Sequence, residues 1–274
     1  MLLRKHDTPA SGLWPGAGVF SRRSIRVLPA LLAVFVAAAL AAIPLPAEAG
    51  SASSRYPDLA MARLKDFSLA IPPDGQKQLR FSTKMVNIGT GPFELMASRS
   101  LLERRFSVSQ RIRRSNGSSY EIRTSRVALV YAGHGHNHWH VRDVAQYELR
   151  RLDNGEKVAA GAKRGFCFYD SHPYQRSLPR APAKRAYPKN SCGTRDSVRL
   201  LMGISVGWLD AYFWRLPDQY IDVTKVPNGK YRLAATVDPA GWFKESNERN
   251  NRTWANLEIT ATGIKVLRYG PPPA

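Results

Sequence analysis

Four of the six histidines of this chain stand within seven residues, His134-Gly135-His136-Asn137-His138-Trp139-His140. In an extended strand, residues two apart face the same side about 6.5–7 Å apart along the chain, so neighbouring imidazoles can converge on one ion at metal–nitrogen distances of about 2 Å. His136, His138 and His140 form the compact three-nitrogen set, with His134 a fourth or outer candidate. Three neutral imidazoles without a thiolate suit Cu(II), or a catalytic Zn(II) with an open position. A histidine-rich surface strand would bind metal adventitiously, but Val141, Val144 and Ala145 continue this segment as a half-buried strand. The two cysteines are too few for a four-thiolate site, so a metal must rest on imidazole or carboxylate.

The elements that must position these side chains read as short strands with turn signals beyond residue 55. Gln78 to Asn87 alternates apolar and polar residues, and Asn87-Ile88-Gly89-Thr90-Gly91-Pro92 predicts a hairpin into Phe93-Glu94-Leu95-Met96. Tyr220 to Val223 and Tyr231 to Val237 flank Asn228-Gly229, which predicts a second, tight hairpin. Trp254 to Thr260 supplies a further alternating strand. No long helical period, no glycine-rich strand-to-helix turn and no internal repeat is present. The expectation is an all-β fold, an antiparallel β-sandwich with long functional loops.

At 274 residues and 43% hydrophobic, the chain can bury a sizeable core, which excludes disorder throughout and a collagenous class. Arg22, Arg23 and Arg26 precede an apolar run from Ala30 to Ile43, then Ala47-Glu48-Ala49, which predicts a signal peptide over 1–49. The run is short for a membrane span, so no span is expected after cleavage, and the product is expected to be exported, periplasmic or secreted. Ser21-Arg22-Arg23-Ser24-Ile25 only loosely fits a twin-arginine signal and leaves the export route open. The expected organisation is this leader, a lead-in over 50–76, the catalytic sandwich over 77–262 and a tail over 263–274. The formal charge is +20; losing the leader's five basic and two acidic residues leaves +17. Much of it lies in two runs, 104–114 and 176–189, so an anionic envelope polymer is a candidate partner.

The histidine segment resembles the copper-binding stretch of the lysyl oxidases, H-x-H-x-H followed by an acidic and aromatic strand, here Asp143 and Tyr147-Glu148-Leu149. Gly161 to Asp170 is similar to the family stretch that holds the cofactor lysine. Gly203 to Tyr212 with Gln219 to Val223 is similar to the stretch that holds its partner tyrosine. Lys163 and Tyr212 fall on those two positions. Val237-Asp238-Pro239 and Glu245 to Asn251 match the closing strand and loop, so the resemblance covers roughly 77–260.

This resemblance implies a copper amine oxidase with a lysine tyrosylquinone formed from Lys163 and Tyr212. Primary amines or lysine-bearing substrates would be oxidised by O₂ to aldehydes, with release of ammonia and hydrogen peroxide. Phe166, Phe168, Trp208, Phe213 and Trp214 neighbour the two positions and would dry the site enough to keep the lysine neutral. Asp210, two before Tyr212 and on its face in a strand, is the candidate general base. The chain departs from the family where Gly135 alone separates His134 from His136, and where Gln146 replaces a histidine. Two alternatives stay open, a non-catalytic copper-binding envelope protein and a basic anionic-polymer-binding protein. Export and an even cysteine count predict one bridge, Cys167–Cys192.

Overall fold

An alternating strand buries one face, and many such strands must stack their apolar faces in layers. The computed structural model, which describes residues 51–132, 137–163 and 165–273, arranges them in four antiparallel sheets. The sole helical element among the described residues is the 3-10 turn Lys189–Cys192. The first sheet is built on the ten-residue strand Gln78–Asn87, flanked by Trp208–Tyr212, Tyr220–Asp222, Leu59–Met61 and Lys65–Ala70. His172–Pro173 extends it beyond Trp208–Tyr212. The second runs Lys157–Ala160, Ala145–Arg151, Gly229–Val237, Arg252–Ile259, Ile264–Tyr269. A third, small sheet holds Leu129–Ala132, His138–Arg142 and Gly165–Phe166. In the fourth, Phe93–Ser98 lies between Arg199–Ile204 and Ser107–Arg114, which also pairs with Ser54–Arg55 and Ser119–Arg123.

The first two sheets pack face to face. Leu79, Phe81 and Met85 alternate inward from Gln78–Asn87, and Leu233, Ala235, Leu257 and Ile259 share their core. The Phe81 and Tyr147 rings meet edge-on at 5.1 Å between the sheets. Each such large side chain contributes about 1.5–3 kcal/mol on burial, so this layer holds the fold together. The all-β antiparallel architecture expected from the sequence is the one observed. Residues on either side of 77–262 also form strands of the first, second and fourth sheets. The leader expected over 1–49 lies outside the described residues, and among those described no helix is long and apolar enough to cross a membrane.

Both expected hairpins are corrected. Gln78–Asn87 does not pair with Phe93–Ser98, because the turn between them carries the chain from the first sheet to the fourth. Buried Asn87 fixes that crossing: its Nδ2 donates to the carbonyls of Gly91 and Ile204 at 3.0 and 2.9 Å, and its Oδ1 accepts from the Asp58 and Gly89 amides. Likewise Tyr220–Asp222 completes the first sheet while Gly229–Val237 joins the second, and Gly229 stays out of the left-handed region. Asp222 accepts from the Thr224 amide at 2.9 Å and turns the chain away before Asn228 is reached.

Candidate active site

His138 and His140 occupy the strand His138–Arg142, and its period of two puts both on one face. Both are buried, and their Nε2 atoms stand 2.9 Å apart. Two cis ligands, each about 2 Å from one ion, lie roughly 2.8–3.3 Å apart, so the pair fits a copper or zinc ion. His134 and His136 fall outside the described residues. The wall beside His140 is Gly165, which pairs with Arg142; a Cβ there would meet His140 Nδ1 at 2.8 Å.

The same short strand leads to the second group of residues. Phe166 pairs with Val141, and Lys163 lies just before it, on a segment held by Gly161 N–H to the Tyr147 carbonyl and Ala162 N–H to the Tyr220 carbonyl. Lys163 is buried, with Nζ 5.0 Å from the ring centroid of Tyr212 and 5.1 Å from that of Phe166. The Phe166 and Tyr212 rings pack edge-on at 4.9 Å. Tyr212 and Asp210 share a face of Trp208–Tyr212, where the Tyr212 hydroxyl can donate to Asp210 Oδ2 at 2.6 Å or to the Cys167 carbonyl at 3.0 Å. Asp210 Oδ1 is buried with no hydrogen-bond partner among the described residues. Lys163 reaches a cavity of about 350 Å³, also lined by Asp143, Gln146, Tyr147, Gly161 and Pro239.

Burial drives each of these groups toward its neutral form. Desolvation lowers the pKa of the Lys163 ammonium, against the opposing charges of Asp218 and Asp210. Desolvation likewise raises Asp210 well above the ordinary carboxylate range, against the Tyr212 hydrogen bond and the Lys163 charge. Tyr212 is raised too, by burial and then by the Asp210 charge. A neutral amine carries the lone pair that an ammonium lacks, and a carboxylate with raised proton affinity is a stronger base.

The expected aromatic wall is corrected. Phe166 does dry the site, but Phe168 packs on Phe93 at 5.0 Å, Trp208 Nε1 donates to the Pro182 carbonyl, and Phe213 is exposed past the strand end. Phe168 and Trp208 are engaged by other partners, while Phe213 and Trp214, the latter under Arg215 at 4.8 Å, lie past the end of Trp208–Tyr212. Tyr147 supplies the other side, its hydroxyl 2.9 Å from Thr83 Oγ1 and its pKa pushed up to about 12, mainly by burial. Gln219, fully buried, donates to the same Thr83 oxygen at 3.4 Å. In the sequence Tyr147, Gly165 and Gln219 are motif members without an assigned role, and Thr83 carries no signal.

A further acidic grouping forms where Asp238, Glu245 and Glu248 bring carboxylate oxygens within 4.8 Å of one another. Burial raises Glu245 to about 9, against hydrogen bonds from the Leu59 amide and Asn251.

Cys167 and Cys192 form a disulfide, as expected, with Cα atoms 6.0 Å apart. The lysyl oxidase family model matches residues 97–268, more than half of the chain and the span that contains His138, His140, Lys163, Asp210 and Tyr212. This chain belongs to the lysyl oxidase family. It is 31% identical over 144 residues to lysyl oxidase homolog 2 of Gallus gallus, a match covering 52% of this chain and 17% of that protein. With lysyl oxidase homolog 1 of Homo sapiens it shares 31% identity over 139 residues, covering 48% of this chain and 22% of that protein. The chain therefore matches about a fifth of the length of these curated relatives. Lysyl oxidases are in general copper enzymes with a lysine tyrosylquinone, and family membership suggests a copper amine oxidase.

Proposed function

We propose that this lysyl oxidase family member oxidatively deaminates primary amines, peptidyl lysine among them, using a lysine tyrosylquinone made from its own Lys163 and Tyr212. The balanced conversion is R-CH₂-NH₂ + O₂ + H₂O to R-CHO + NH₃ + H₂O₂. The observation that carries this reading is the buried Lys163 amine, 5.0 Å from the ring of Tyr212 with its ammonium form disfavoured. Copper held by His138 and His140, with His136 and His134 as further ligands, would supply the oxygen chemistry, and the quinone would supply the sink for the amine's two electrons.

The chain's own residues have distinct tasks. Lys163 Nζ offers the lone pair for the crosslink, and Phe166 and Tyr147 keep water from it. Asp210 Oδ2 orients the Tyr212 hydroxyl, while Oδ1, buried and without a hydrogen-bond partner among the described residues, is the acceptor we assign to the proton lost from substrate carbon. With its leader lost the chain carries +17 and repels cationic substrates on average, so the Asp143 carboxylate in the cavity wall and the Asp218 charge acting on Lys163 supply the local attraction. We further propose that residues 1–49 direct export, which suits the disulfide.

The test is copper-loaded expression of the wild type and Lys163→Arg, each followed by peptide mapping, quinone staining and peroxide assay. Arginine keeps charge and bulk but stays protonated. The variant should fold and hold copper near wild-type stoichiometry, yet yield no crosslinked peptide and no amine-dependent peroxide. An active Lys163→Arg protein would remove the lysine from the chemistry and leave a copper-binding module.

A further inference from the structure

The two basic runs, far apart in sequence, meet at one cavity. Arg55 pairs with Arg113 across adjacent strands, and the loop leading to Tyr187 is folded back by buried Asp170, which accepts from the Ala186, Tyr187 and Ser205 amides at 2.8–3.1 Å. The result is a cavity of about 380 Å³ whose lining includes Arg55, Arg113, Arg114 and Arg180. Pro92, Pro182, Tyr187 and Val206 give it apolar walls.

Three of these guanidiniums are oriented without being neutralised. Arg180 Nε donates to the Thr90 carbonyl at 2.9 Å, Arg55 Nη2 donates to the Ser115 carbonyl at 3.3 Å, and Arg114 stacks over the Tyr120 ring at 4.9 Å. Among the described residues none of the three has a carboxylate within ion-pair distance. Arg113 does, donating through Nε and Nη2 to Glu94 at 2.7 Å each, which leaves three of its five N–H donors. Like charges gathered around one concave surface repel one another and concentrate positive potential, and a bound anion would offset that cost. The planar fork of arginine matches phosphate and carboxylate oxygens, and the volume is that of a small-molecule site.

We propose that this cavity binds an anionic sugar unit, its phosphate or carboxylate held by Arg55, Arg114 and Arg180 and its ring lying against the apolar walls. The inference is independent of the amine-oxidase reading, because its test reads binding. Titration calorimetry on the purified protein uses glucose 6-phosphate and glucuronate as the two arms, with neutral glucose as control. One or both acids should bind one-to-one, more weakly as salt rises, and the stronger arm names the anion. Arg55→Ala/Arg180→Ala should weaken binding at least tenfold, whereas Arg104→Ala/Arg105→Ala, with the same loss of charge but outside the cavity, should change it less than twofold. Should the first double variant fold poorly, Arg114→Gln gives the same comparison at a third guanidinium. Absence of saturable binding by either acid, or equal weakening in the cavity and control variants, overturns the proposal.

Discussion

Asp210 and Tyr212 are two apart on one strand; that spacing puts both on one face, and the packed side chains then bring the carboxylate 2.6 Å from the phenol. Burial then sets the chemistry, because a desolvated carboxylate holds a proton more tightly. Asp210→Asn keeps the shape and the acceptor for Tyr212 but cannot take a proton. Amine-dependent peroxide release should fall by about 10²–10⁴-fold, with copper content unchanged. The carboxylate form is lost as pH falls through its raised pKa, so the acid limb of wild-type kcat/KM should lie well above the ordinary carboxylate range. Residual activity of the variant should lack that limb; a fully active variant with the limb intact would show that another group is the base. The stability linkage has the opposite sense. A raised folded pKa contributes stability fully below the unfolded value of 3.8 and loses it as pH rises through the folded one, so Asp210→Asn should flatten this dependence of Tm.

Among the elements, the pairing of Gly165–Phe166 with His138–Arg142 couples the metal strand to the cofactor residues, with Gly165 against His140 and Phe166 against Tyr212. Backbone freedom is not what requires glycine here, since Gly165 has an ordinary φ; the requirement is room for the imidazole. Gly165→Ala should displace His140 and lower bound copper below one equivalent, at an overpacking cost of about 1–3 kcal/mol. Metal analysis beside a thermal melt separates the two effects. Full copper occupancy in a folded Gly165→Ala protein would contradict the coupling. The sequence displays this strand's alternation but gives no hint that a glycine 25 residues downstream is its neighbour, because strand pairing is set by long-range packing.

For the molecule as a whole, the Cys167–Cys192 disulfide closes a separation of 25 residues and ties the basic, proline-bearing loop to the segment after Lys163. Constraining the unfolded chain in this way stabilises by about 3 kcal/mol, which corresponds to roughly 6–12 °C in Tm for a chain of this size. Cys167→Ser/Cys192→Ser should melt lower by that amount. It should also form the crosslink more slowly, since the Cys167 carbonyl is one of the two acceptors of the Tyr212 hydroxyl. An unchanged melt would mean that the core alone determines stability. The large positive charge belongs to this scale too, and its effect depends on which guanidiniums the fold leaves without carboxylates.

Features legible in the residues alone are local. The alternation that makes Gln78–Asn87 and Arg252–Ile259 strands, the shared face of His138 and His140, and that of Asp210 and Tyr212 follow from backbone geometry repeating every two residues. Strand partners emerge only from long-range packing. Asn87-to-Pro92 and Asn228-Gly229 carry hairpin signals, yet their flanking strands sit in different sheets, because a strand's partner is chosen by the apolar face it can cover across the whole chain. The same long-range choice brings Lys163 to Tyr212, 49 positions away in sequence, and selects Phe166 and Tyr147 rather than Phe168 or Phe213 to dry the site. Proximity between distant residues is a property of packing, and packing compares every apolar face with every other before any one pair is fixed.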